Sequence, residues 1–250
     1  MSIGPVINDS NYQQYIQAGA RGYQGMFLSK QDKARAKTFG DLGIDLIPES
    51  DVDDIIDTME KLGSDPLTLT KQLNLPCLDQ NGTNYCWVNA PTHCLEYVRL
   101  CETGQVFSYS PASAGAPIKG FRNSGGWGSQ ALDYFKQNGV NETKDWPANA
   151  INRSYYTAEN REKAKSHIAL EYYVLESWQE RISCIMSGIW TADGYDWWSH
   201  EVCGCWLVKK SHDLIIRNSW GEWGDRGFGT LAGSRKQAGD SVAITAMKPL

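Results

Sequence analysis

The chain has no apolar run near the roughly 18 residues that a membrane-spanning helix needs. Its first ten residues lack a basic stretch and an apolar core, so they are not read as a secretion signal. Positive charge is scarce. The 24 Lys and Arg against 29 Asp and Glu give a net charge of −5, and a pI near 5.4 argues against nucleic-acid binding. No internal repeat, low-complexity tract or phosphate-binding glycine loop is present; the glycines from Gly221 to Gly229 are interleaved with Trp and no Lys-Ser/Thr follows them. A metal site at His200, Cys203 and Cys205 would converge poorly, because in a strand the two cysteines share one face and the histidine points to the other. No cofactor is expected. The seven cysteines are odd in number and show no disulfide spacing, which favours reduced thiols in a cytoplasmic or virion-associated setting. Only four histidines are available to any acid–base chemistry.

With 250 residues, one large domain or two small lobes can form, with ample core. Ten Trp and twelve Tyr suggest an aromatic cleft or aromatic interfaces. The chain is organised around Cys86. Before it, Asn81-Gly82-Thr83-Asn84 reads as a turn. After it, Trp87, Ala90, Cys94, Tyr97, Val98 and Cys101 recur at three- and four-residue steps, the period of a helix packed on one face. Asn84 is a plausible N-cap. Cys86 then lies in the first turn, where free N–H groups and the dipole favour a thiolate, and a base nearby would make it a nucleophile. The alternative is a buried, inert small hydrophobe.

Among the histidines, His93 lies two helical turns from Cys86, roughly 10 Å along the same helix and out of hydrogen-bonding reach. His167 follows the polar run 159–166 and reads as solvated, and His212 reads as a hairpin turn. His200 remains, at the start of an apolar run ending near Val208. A second strand follows the turn, Leu214 to Arg217, leading into Asn218-Ser219-Trp220-Gly221. A hairpin brings the start of the first strand beside the end of the second, which places His200 near Asn218. An asparagine oxygen there would orient the imidazole, and Trp220 could shield that bond from water.

Gln80, Cys86-Trp87, Gly125-Gly126-Trp127, Ser199-His200 and the stretch Arg217-Asn218-Ser219-Trp220-Gly221-Glu222-Trp223-Gly224-Asp225-Arg226-Gly227-Phe228-Gly229 occur in an order that resembles the papain family of cysteine peptidases. The resemblance covers residues 75–250 and implies an α+β fold of two lobes, a helical lobe over 75–147 and an antiparallel β lobe over 148–250. It implies a Cys86–His200–Asn218 triad that hydrolyses peptide bonds through an acyl-enzyme, with the sulfur within about 4 Å of a ring nitrogen. Gln80 and the Cys86 N–H would hold the oxyanion, and the Gly125-Gly126 backbone would bind an extended peptide or protein substrate. Trp220 would line the site. Glu201, directly after the histidine, would line the pocket for the side chain two positions before the cut and favour a basic residue there. Otherwise it is turned away and paired with Lys209 or Lys210.

The chain departs from the family at several points. Thr83 stands where the family has a disulfide cysteine. Pro91 falls inside the expected helix, where it costs about 3 kcal/mol or kinks it. His200 follows Cys86 by 114 residues, against roughly 130 or more in the family. Residues 1–74 lie outside the resemblance. They read as a partly helical extension, with a helix over Asp9–Ala20, a solvated arm over Ser29–Lys37, and a helix over Asp51–Leu62 capped by Ser50 and presenting Ile55, Ile56, Met59 and Leu62. The extension is either a pro-like segment or an arm that docks on the catalytic domain or a partner. The contrasting reading of the whole chain is a papain-fold building block of a viral particle or other large assembly. Transglutaminase-like amide transfer ranks last, because it uses Asp where this chain has Asn218.

Overall fold

A computed structural model describes residues 3–17, 19 and 21–250. Its helices are α1 (Gln13–Ile16), α2 (Lys30–Arg35), α3 (Phe39–Leu42), α4 (Val52–Leu62), α5 (Pro66–Gln72), α6 (Cys86–Thr103), α7 (Ala112–Ile118), α8 (Gly128–Asn138), α9 (Ala158–Ala164) and α10 (Trp178–Met186). Its strands are β1 (Val6–Ile7), β2 (Lys37–Thr38), β3 (Ala169–Leu175), β4 (Thr191–Tyr195), β5 (His200–Leu207), β6 (Leu214–Arg217), β7 (Phe228–Leu231) and β8 (Asp240–Met247). The architecture is α+β: α6 to α8 on one side, and on the other one sheet in the order β1-β7-β6-β5-β4-β8-β3-β2. The six inner strands pair antiparallel, and the two outermost pair parallel to their neighbours. No helix among the described residues is long and apolar enough to cross a membrane.

Helix α6 packs against β4, β5 and β8. It is not amphipathic, contrary to the one-sided packing expected from its periodicity. Every residue from Cys86 to Leu100 is buried, including Asn89, Thr92, His93, Glu96 and Arg99, whereas Cys101 is exposed. A helix surrounded on all sides belongs in the centre of a molecule. It passes through Pro91 without interruption. Its N-cap is Tyr85, without a side-chain cap bond, and not Asn84; the Asn84 N–H donates to Asn123 Oδ1.

The extension is woven into the sheet. β1 joins one edge through Val6–Thr230 and Ile7–Leu231, and β2 joins the other through Lys37–Tyr173 and Thr38–Val174. Asp9 holds Arg235 Nε at 2.9 Å. Helix α4 begins at Val52 after a 3₁₀ turn, with Asp51 and not Ser50 at its cap. It buries Val52 and Ile56, while Ile55 and Met59 are half-buried and Leu62 is exposed, so Leu62 drops out of the expected stripe. Ala18 and Ala20, at the end of the helix expected over Asp9–Ala20, lie outside the described residues; within that span the helix is α1 alone. His167 is buried, not solvated, with Nδ1 3.1 Å from Tyr109 Oη. All seven cysteines are free thiols.

Candidate active site

Cys86 is the first residue of α6, and His200 is the first of β5. Both are fully buried. Strands β5 and β6 form the hairpin, with Cys203 opposite Arg217, so Asn218 lies just beyond the paired end of β6 and beside His200. His200 Nε2 is 2.7 Å from Asn218 Oδ1. The oxygen can only accept, so Nε2 carries the hydrogen and Nδ1 is the basic nitrogen. Trp220 stacks on the imidazole with centroids 4.8 Å apart, and Trp198 meets it edge-on at 4.9 Å.

The thiol faces an unexpected set of neighbours. Burial and the adjacent Glu201 carboxyl push its pKa far up, while the backbone N–H groups of Glu201, Tyr23 and Trp87 draw it the other way. Burial holds His200 down to about 3, opposed by the Asn218 bond and reinforced by the Arg21 charge. Sulfur and imidazole therefore rest uncharged. His200 Nδ1 makes no hydrogen bond.

Residues 21–26 run beside this site, with the Tyr23 N–H directed at the thiol. Gly126 N–H donates to Gly22 O at 2.8 Å, and Gln24 N–H donates to Gly126 O at 2.9 Å, in a parallel bridge between Tyr23 and Gly126. Gly125 lies beneath Gly22. Gln80, also fully buried, donates from Nε2 to Thr83 O at 2.8 Å and to Arg21 O at 3.4 Å, and its Oε1 accepts from Ser219 Oγ at 2.6 Å. The Gln80 amide thus already holds two peptide carbonyls. Glu201 is buried without a partner on either oxygen and is not paired with Lys209 or Lys210. Lys209 reaches Asp57 at 2.6 Å, and the Lys210 backbone N–H reaches Asp53.

Arg21, Gly22, Tyr23, Trp198 and Asp240 also shape this site. The Trp197-Trp198 pair beside His200 was a local signal for Trp198. Residues 21–23 and 240 carried none, because their approach to Cys86 is set by the sheet and not by sequence spacing. No group of histidine, cysteine and acid suited to a metal ion occurs among the described residues.

No protein-family model matches the chain. It is 25% identical over 212 residues to oryzain gamma chain of Oryza sativa subsp. japonica, covering 70% of this chain; the chain spans 56% of that relative's length. Among solved structures it resembles xylellain, a cysteine protease from Xylella fastidiosa, with a TM-score of 0.62 at 14% identity, covering 92% of this chain and 96% of that one. It also resembles digestive procathepsin L 3 of Tenebrio molitor larval midgut, with a TM-score of 0.59 at 14% identity over 98% and 84% of the two chains.

Proposed function

We propose that this member of the papain-like cysteine peptidase family hydrolyses peptide bonds through Cys86, and that residues 21–26 hold the site closed in the form described. The observation that carries the reading is the buried His200–Asn218 bond, which leaves Nδ1 as the basic nitrogen. When a peptide replaces the segment, the Cys86 thiol passes its proton to His200 Nδ1. The thiolate attacks the carbonyl carbon, and the oxygen takes the negative charge. Gln80 Nε2 and the Cys86 N–H donate to that oxygen; losing one such donor costs about 10²–10³ in rate. The imidazolium then gives its proton to the amine nitrogen as the C–N bond breaks, leaving a thioester. Water, deprotonated by His200, hydrolyses the thioester and restores the thiol. Asn218 keeps a hydrogen on Nε2 throughout, so that proton transfer takes place at Nδ1.

The segment engages the same backbone that an extended substrate would use, the Gly126 N–H and C=O. Its parallel pairing and its Arg21 carbonyl on Gln80 support a pro-like role for this part of the extension. The closed site also favours the second reading, a papain-fold structural component with little or no activity. A peptidyl epoxide decides between them. Covalent modification of Cys86, absent in Cys86→Ala, together with peptide cleavage supports the peptidase. No modification in the wild type and in a chain whose segment has been unseated overturns it.

A further inference from the structure

Three thiols that the proposed chemistry does not use meet where α6 packs on β5. Cys94 lies on α6 and Cys203 on β5, both fully buried, and their Sγ atoms are 3.3 Å apart. Cys205, on the same strand and equally buried, donates from its Sγ to Cys203 O at 3.4 Å. A single buried thiol is accounted for as a small hydrophobe. Two thiols in direct sulfur contact, 109 residues apart in the chain, raise a different question, because that contact can become a bond.

A disulfide holds its sulfurs about 2.05 Å apart, so closure needs an approach of about 1.3 Å, which side-chain torsions can supply. The place of the pair gives such a bond a consequence. Cys94 follows Cys86 by eight residues, roughly 12 Å along the helix axis. Cys203 follows His200 by three residues, roughly 10 Å along the strand. A bond there joins the element that carries the thiol of the site to the element that carries its imidazole. It also closes a loop of more than a hundred residues, the kind whose closure restricts the unfolded chain most.

We propose that Cys94 and Cys203 are a disulfide-forming pair, closed by exchange with a small-molecule disulfide as the chain folds, and that the bond staples α6 to β5. The inference stands whether or not the chain is a peptidase. In the first step the Cys94 thiolate attacks one sulfur of the small disulfide, whose S–S bond breaks and releases one thiol. The Cys203 thiolate then attacks the Cys94 sulfur of the mixed disulfide and expels the second thiol. The two cysteines give up two electrons and two protons, and the small disulfide becomes two thiols. Each attack needs a thiolate, and burial raises both cysteines above their usual range. Closure therefore belongs to the folding chain, before the sheet covers α6. The same burial then shields the finished bond from reductant, and the described form, with free thiols, is the reduced state.

The test refolds the full chain from urea in a mixture of reduced and oxidised glutathione, alkylates the remaining thiols, and maps disulfides by mass spectrometry after a non-reducing digest. A cross-linked peptide joining Cys94 to Cys203 is expected in most of the refolded protein, and equally in Cys205→Ser. Oxidised protein should also show an unfolded fraction about thirtyfold or more lower than its dithiothreitol-treated counterpart at the same urea concentration. That difference should vanish in the double variant Cys94→Ala, Cys203→Ala. Alkylation of both Cys94 and Cys203 in refolded protein overturns the proposal, as does a bond from Cys203 to Cys205 or glutathione left on either cysteine. If the double variant does not fold, the wild-type map decides alone. If the wild type does not refold from urea, the same map on full chain expressed in an oxidising periplasm decides.

Discussion

The Asn218 side chain makes one bond that decides which nitrogen of His200 is basic. Asn218→Ala should leave the fold intact and lower kcat by at least about tenfold, with little change in KM, because the imidazole loses its orientation and not its contact with substrate. Steady-state kinetics beside circular dichroism checks this, and unchanged kcat would reduce Asn218 to a strand-end residue. His200 also carries a stability consequence. Its pKa falls from 6.5 in the unfolded chain to about 3 in the fold. Between those values the unfolded state binds more protons, so stability rises with pH across that window and is lost on acidification from 6.5 towards 3. The effect belongs to His200 alone in the comparison with His200→Gln. The stability gap between wild type and variant, from urea unfolding, should be larger at pH 7 than at pH 4. A gap independent of pH would mean that the imidazole is wet.

At the scale of elements, the segment over the site depends on a glycine. Gly22 has φ +138°, and a Cβ there would stand 2.0 Å from Asn84 O. Backbone cannot yield as a flexible side chain does, so Gly22→Ala should lift the segment. Cys86 modification by a peptidyl epoxide should accelerate by about tenfold or more, which corresponds to about 1.4 kcal/mol of lost closure. An unchanged rate would show that the segment does not limit access. Helix α6 presents a different case. Its apolar period was legible, yet its His93 and Glu96 are as buried as its leucines, with His93 Nδ1 3.5 Å from Glu96 Oε2. Polar residues on a helix read as a solvent face until a second layer covers them, and here the sheet and helices α7 and α8 do so.

For the molecule as a whole, the extension closes both edges of the sheet and therefore belongs to its folding unit. Ile7 on β1 is fully buried. Ile7→Ala should cost about 2–5 kcal/mol within a single unfolding transition shared by near- and far-ultraviolet signals. A separable arm would leave the main transition unmoved. A sheet ending at β7 and β3 would expose two edges to pairing with other chains, a hazard that the short outer strands β1 and β2 reduce.

What depends on local order and on one hairpin was legible in the residues. The turn before Cys86, the helix after it, and the two apolar strands joined at Ser211-His212 are short-range features. Hairpin geometry alone was enough to bring His200 to Asn218. The spaced Gln80, Gly125-Gly126 and Asn218-Ser219-Trp220-Gly221 motifs added the resemblance to the papain family and the α+β class. Tertiary structure alone decided that β1 and β2 add strands at opposite edges, that Tyr23 lies over Gly194, and that Gly194 pairs with Glu201 and Asp240. These residues come from three distant parts of the chain, and no spacing rule links them. Their meeting follows from which strands pair and from the missing side chain at Gly194, and both are properties of the assembled sheet.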